Sequence, residues 1–126
     1  MLCNVTISGS KDADVIRCKG ELEIDDKGFV LRYNIAEDRC VLTAHGCTVT
    51  QSRRGDVNTE ITFAKGRDTV CMLLSGELTG SIPVKTTYLK IDKGADGVAL
   101  SIDYFLGGAN ILLRLTAAPV NENYEN

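Results

Sequence analysis

The sequence predicts an all-β fold built from consecutive antiparallel hairpins, and three observations carry that reading. Glycines fall at a near-regular beat, at Gly9, Gly20, Gly28, Gly46, Gly55, Gly66, Gly76, Gly94 and the Gly107-Gly108 pair. Runs rich in Val, Ile and Thr lie between them, and β-branched side chains suit a pleated surface. No window sustains the i, i+3, i+4, i+7 apolar spacing of a long helix. Turn signals recurring about every 8–12 residues between short strands indicate a sandwich or a barrel.

Taken in order, residues 5–7 form a first short strand. Asp25-Asp26-Lys27-Gly28 then makes a turn, because Asp and Gly tolerate its conformations. Folding there sets Ile24 opposite Phe29, Leu22 opposite Leu31 and Gly20 opposite Tyr33, where the missing side chain leaves room for the ring. The other face carries Arg17, Lys19, Glu21, Glu23, Arg32 and Asn34, a solvent face. Strands near 41–43 and 48–50 flank Gly46, with His45 at the tip. A further hairpin turns at Lys65-Gly66-Arg67-Asp68 and sets Ile61 and Phe63 beside Met72 and Val70. A strand near 84–91 follows. The last hairpin turns at Gly107-Gly108, where two glycines permit positive φ angles. It pairs Leu106, Tyr104, Ile102, Leu100 and Val98 with Ala109, Ile111, Leu113, Leu115 and Ala117. A one-residue slip there would bury Asp103 and Arg114, so this register is well specified.

These elements make about eight to ten strands in one domain over residues 1–118. Residues 119–126 read as a polar, disordered tail. A chain of consecutive hairpins has two edges to hide, and closing the sheet into a barrel removes them. A two-sheet sandwich is the competing arrangement.

Composition excludes several function classes. The chain has 126 residues, 44% hydrophobic and 25% charged, with a net charge of −3. That length suits one domain, and the apolar fraction is too high for disorder. The acidic balance argues against a nucleic-acid or anionic-membrane partner. No basic segment followed by an apolar run opens the chain, and no stretch reaches the roughly 20 apolar residues of a membrane span. Five cysteines (Cys3, Cys18, Cys40, Cys47, Cys71) are odd in number and irregularly spaced, unlike a secreted disulfide framework. The expected location is the cytoplasm.

The order of short motifs is informative. Val5-Thr6-Ile7-Ser8-Gly9 precedes Gly20-Glu21-Leu22 and then Gly28-Phe29-Val30-Leu31-Arg32-Tyr33. Arg54-Gly55, Phe63-Ala64-Lys65-Gly66 and Leu100-Ser101-Ile102-Asp103-Tyr104 follow. This order resembles the YwiB-like family of uncharacterised bacterial proteins over nearly the whole chain. The resemblance implies a closed antiparallel calycin-like (lipocalin-like) up-and-down β-barrel and no activity. The chain departs from that pattern at Ile35, where relatives often have Glu, and over Cys71 to Gly76, where they tend to have a Tyr-Thr pair.

No assembled active site is legible. His45 is the only histidine, and Cys40, His45 and Cys47 lack the fourth ligand and CxxC knuckle of a zinc site. Cys47 with His45 would need a third orienting group to act as a nucleophilic pair. Asp92, Asp96, Gly97 and Asp103 match part of a calcium loop, but Gly94 stands at its third position and Asp103 replaces the bidentate Glu. Arg54-Gly55-Asp56 reads as a turn, and Asn4-Val5-Thr6 as a coincidental sequon. Arg53, Arg54, Lys65 and Arg67 bracket one strand and lack the aromatic neighbours of a nucleic-acid face. Phosphate-binding loops and nucleophile elbows are absent.

The expectation is therefore a protein with no enzymatic activity, metal or cofactor. A barrel can enclose a small apolar or amphipathic ligand. The interior candidates are Phe29, Leu31 and Tyr33 on one strand, Leu100, Ile102 and Tyr104 on another, and Leu113 on a third. The alternative is an interaction module, a homodimer formed through the barrel's outside or an edge strand. Phe105 and Leu112, with Cys71 and Leu73, would supply its outer apolar patch.

Overall fold

The computed structural model describes residues 1–9 and 15–120, with the side chain of Leu78 set aside. Ten strands fill them: β1 (Leu2–Gly9), β2 (Ile16–Ile24), β3 (Gly28–Ile35), β4 (Asp38–His45) and β5 (Thr48–Arg54), then β6 (Asn58–Ala64), β7 (Asp68–Ser75), β8 (Leu78–Gly94), β9 (Gly97–Leu106) and β10 (Ala109–Pro119). Each strand pairs antiparallel with its sequence neighbours, and β10 returns to pair with β1. The result is a closed up-and-down barrel, so the sandwich alternative is excluded and most strand edges are paired, although β7 pairs with β8 only up to Lys85.

Two hairpins carry the register read from alternation. Gly20 lies opposite Tyr33, Leu22 opposite Leu31 and Ile24 opposite Phe29. Leu106 through Val98 pair with Ala109 through Ala117, two by two on the inner face. Outside, Arg114 donates to the Asp103 carboxylate at 2.9 Å. A Cβ on Gly20 would lie 2.8 Å from the Arg32 carbonyl oxygen and 3.3 Å from the Tyr33 Cβ, so the close approach there requires glycine.

The β6–β7 hairpin differs from expectation by one residue. Ile61 lies opposite Cys71, and Glu60 opposite Met72. The chain turns tightly through Gly66, at φ +80°, and the Arg67 N–H donates to the Ala64 carbonyl at 3.1 Å. That shorter connection flips the following strand. Cys71 joins the core, while Val70 and Met72 face solvent at 44% and 38% exposure. The expected outer patch is corrected accordingly. Phe105 and Leu112 do face out, but Cys71 and Leu73 face in, and Val70, Met72 and Leu74 take their place.

Besides the loop between Gly94 and Gly97, four connections are two-residue loops, as the pairs Ile35–Asp38, His45–Thr48, Ser75–Leu78 and Leu106–Ala109 show. Their first loop residue has φ between +55° and +64°, and it is Gly46, Gly76 or Gly107 in three of them. Ala36 occupies the fourth at φ +55°. An L-residue in left-handed backbone costs roughly 1–2 kcal/mol, partly offset by the extra chain entropy glycine loses on folding. Ala36→Gly is therefore expected to raise unfolding stability by about 0.5–1 kcal/mol. Urea titration reads this directly, and an unchanged or lowered midpoint would contradict it.

β8 is the longest strand, with β7 on one side of its first half and β9 on the other side from Val84 onward. A bulge between Thr86 and Tyr88 bends it where it crosses Tyr104. At the end of the chain β10 reaches Pro119, and the Val120 N–H donates to the Leu2 carbonyl at 3.1 Å. Order thus extends two residues past the expected boundary, and residues 121–126 of the expected tail lie outside the described residues.

Candidate functional site

The inner face changes character along the barrel axis. On β10, Ala117 and Leu115 are 1% exposed, Leu113 and Ile111 are half-buried, and Ala109 is exposed. β1 repeats the gradient from buried Cys3 and Val5 to half-buried Ile7. β9 repeats it from buried Val98, Leu100 and Ile102 to half-buried Tyr104 and Leu106. β5 and β6 do so as well, from Val49 to Gln51 and Arg53, and from Phe63 to Ile61 and Thr59. All these half-buried ends point toward the turns at 35–38, 54–58, 75–78 and 106–109. Among the described residues, one end of the barrel is the more filled, and the less covered end forms a cup.

The filled end is also tied shut. The N-terminal ammonium donates to the Leu22 carbonyl at 2.9 Å, and the Gly46 N–H to the Lys27 carbonyl at 3.0 Å. Lys93 Nζ reaches across to the Asp25 carbonyl. Phe29, Phe63, Leu31, Leu100 and Ile102 lie at 2% exposure or less, so no water-sized space adjoins them.

The seven residues expected on the inner wall therefore divide by depth. Phe29, Leu31, Leu100 and Ile102 form the packed floor, with Tyr33 next to them at 4% exposure. Tyr104 and Leu113 are half-buried against the same cluster and face the cup. The Tyr104 ring meets Phe63 edge-on, with centroids 4.7 Å apart.

The cup is chemically two-sided. Ile82, Leu106, Ile111, Leu113 and Ile7 line the wall made by β8, β9, β10 and β1. The opposite wall, on β3 to β6, adds polar groups to the half-buried Ile35 and Ile61. There Arg53 Nε donates to Asp38 Oδ2 at 2.7 Å, and Gln51 Nε2 donates to the Tyr33 hydroxyl at 2.9 Å. Burial pushes the Tyr33 phenol strongly up and the Tyr104 phenol up, so both stay protonated donors. Thr86, opposite Tyr104, is buried, and its hydroxyl has no hydrogen-bond partner among the described residues.

Asp38, Gln51 and Arg53 are members of this site that the alternation reading did not single out. Arg53 was expected on a solvated face with Arg54, but only Arg54 points outward. The available signal was parity: Val49, Gln51 and Arg53 share one side of β5, and Val49 is fully buried.

The remaining motifs do not converge. Cys40 faces the core while His45 and Cys47 sit exposed at the β4–β5 turn, so the three are held apart. Burial pushes the thiols of Cys3, Cys18, Cys40 and Cys71 up, which disfavours the reactive thiolate. Asp103 is occupied by Arg114 on the outer face. Arg54-Gly55-Asp56 lies in the turn between β5 and β6, at the cup's rim. A shallow cleft of about 500 Å³ runs over the outside of β2 to β4, lined in part by Lys19, Glu21, Arg32 and Arg39. Lys19 and Arg32 already bond to Asn4 and Glu23.

Comparison with known proteins places this barrel. The sequence model of the family described as a domain of unknown function, DUF1934, matches residues 2–113. The chain belongs to the DUF1934 family. Its structure is similar to the crystal structure of the ywiB protein from Bacillus subtilis, with a TM-score of 0.76 and 17% sequence identity. That match covers 95% of this chain and 91% of the Bacillus protein, and at this identity it shows the shared fold. No curated protein matches the chain. The YwiB-like resemblance and the closed antiparallel up-and-down barrel are both borne out. Ile35, where relatives of the DUF1934 chain were expected to have Glu, is half-buried and faces the cup.

Proposed function

We propose that this DUF1934 barrel binds a small amphipathic molecule in the open end of its interior, without a covalent step. The observation that carries this reading is the one-sided burial gradient. Most interior positions are sealed at one end, with Ile24, Leu89 and Ile91 partly buried there, while apolar side chains such as Leu113 and Ile61 remain half-exposed at the other. Concave apolar surface with a few converging polar groups is what a ligand site offers. The outward positions of β2 and β3, among them Lys19, Glu21, Glu23 and Arg32, are charged and exposed. Lipid-facing barrels present apolar residues there, so the exterior supports an aqueous, cytoplasmic setting.

The test is titration with N-phenyl-1-naphthylamine, a neutral dye that brightens in apolar sites. The native protein is expected to bind it saturably, and Leu113→Glu to weaken it at least tenfold while the circular dichroism spectrum is kept. Binding that survives Leu113→Glu but disappears in Met72→Lys would move the site to the outer face and defeat the reading.

A second reading, a homodimer, is favoured by the outward stripe of Val70, Met72 and Leu74 on β7. This dimer would use the outer face of β7. Sedimentation equilibrium giving a monomer at all concentrations would rule it out.

A further inference from the structure

We infer that the head group received in the cup is an oxyanion, so that the ligand is a small amphipathic carboxylate; this rests on the cup reading above. The argument is a count of donors and acceptors on the polar wall. Arg53 has five N–H donors, of which only the Nε–H makes a hydrogen bond among the described residues, to Asp38. Its Nη hydrogens are left for another acceptor, and a guanidinium fork matches two oxygens of one carboxylate. The Tyr33 hydroxyl accepts from Gln51, which leaves its own proton to donate. On the other side of the cup, on β9, Tyr104 makes a ring contact with Phe63 and no hydrogen bond to a described residue. Thr86 beside it is likewise a hydroxyl without a partner. Against these donors the wall offers few spare acceptors, chiefly the Gln51 carbonyl and the second Asp38 oxygen.

Arg53 and Asp38 together are neutral, so an incoming oxyanion would be held by directed hydrogen bonds and not by a net positive charge. Arg53 is half-buried, and its Asp38 contact uses the edge of the guanidinium rather than both Nη groups. Asp38 is therefore a positioning residue, fixing Arg53 against the wall of β4. It is itself seated by Gly55, where any Cβ would overlap the Asp38 carboxylate. The apolar wall of Ile82, Leu106, Ile111 and Leu113 faces this head-group site across the cup. A ligand with its oxygens at Arg53 would lay its hydrocarbon part on that wall. The packed floor at Phe29 and Leu31 limits the depth, which favours a short chain or a single ring over a long one.

The experiment is calorimetric titration of the full chain with octanoate, octan-1-ol and octylammonium, probes of equal length and different head. Octanoate is expected to bind at least tenfold more tightly than the other two. Arg53→Gln should weaken octanoate at least tenfold and leave octan-1-ol unchanged, and Arg53→Lys should fall between. Thermal unfolding of both variants within a few degrees of the parent shows that the barrel persists. Equal binding of octanoate and octylammonium, or octanoate binding unaffected by Arg53→Gln, overturns the assignment. If N-phenyl-1-naphthylamine still occupies the cup in that event, the cup reading stands and only the oxyanion falls. If neither the dye nor any octyl probe binds, both are overturned.

Discussion

Gly97→Ala is expected to remove about 2–6 kcal/mol of stability and to lower the unfolding temperature by roughly 8–23 °C. Two independent penalties coincide at this residue. Gly97 opens β9 at φ +107°, a conformation that costs a residue with a side chain about 1–3 kcal/mol. An added Cβ would also overlap the Ala117 carbonyl on β10, and that obstacle is backbone in a paired strand. It cannot rotate aside as a flexible side chain would, so overpacking adds about 1–3 kcal/mol more. A domain with a total stability of about 5–15 kcal/mol tolerates this poorly. The matched control is Gly108→Ala, at a position with no positive φ and no atom within 4 Å of the added carbon. It is expected to be neutral or to stabilise by up to about 1 kcal/mol, through the unfolded chain. Parallel urea melts of the two variants decide the matter. A loss below about 1 kcal/mol for Gly97→Ala would mean that the β9–β10 backbone yields far more than closely packed strands do.

How much was legible in the sequence follows from where charges stand. In β2 and β3 the outer positions are Lys19, Glu21, Glu23 and Arg32, and in β9 and β10 they include Asp103 and Arg114. Each forbids a one-residue slip, so both registers could be read in advance. In β7 the run Val70-Cys71-Met72-Leu73-Leu74 is apolar at every position, and either face can be buried. The turn at Gly66 decides it, through backbone geometry that alternation does not encode. The cup was half legible for a similar reason. Tyr33, Tyr104 and Leu113 follow from the apolar alternation of their strands. β5 reads Thr-Val-Thr-Gln-Ser-Arg-Arg, polar on both faces beyond Val49, and nothing local says that Arg53 turns inward. Closure of the barrel says so, because it assigns the whole side of Val49 to the interior. The burial gradient itself was not legible, since it depends on how far each turn covers its end of the barrel.

Phe63→Ala is expected to cost about 3–5 kcal/mol and to disturb the cup as well as the core. Phe63 is 0% exposed, at the junction between the filled floor and the open end. Its neighbour across the ladder is Val49, also fully buried, and its ring stands at 64° to that of Tyr104. Truncation removes one of the largest side chains in the core, and a closed ring of paired strands has little freedom to collapse into the void. Tyr104 loses the ring that holds its orientation. The cup therefore gains depth and loses a defined wall, and N-phenyl-1-naphthylamine affinity should change at least threefold in either direction. Leu22→Ala separates the two effects. Leu22 is equally buried but sits on β2 toward the closed end, where the N-terminal ammonium bonds to its carbonyl. Its loss should cost about 2–5 kcal/mol and leave the dye affinity of the folded protein unchanged. Urea melts with dye titrations of both variants, made where each is fully folded, test this. Equal dye responses from Phe63→Ala and Leu22→Ala would show that the floor beneath Tyr104 does not shape the cup.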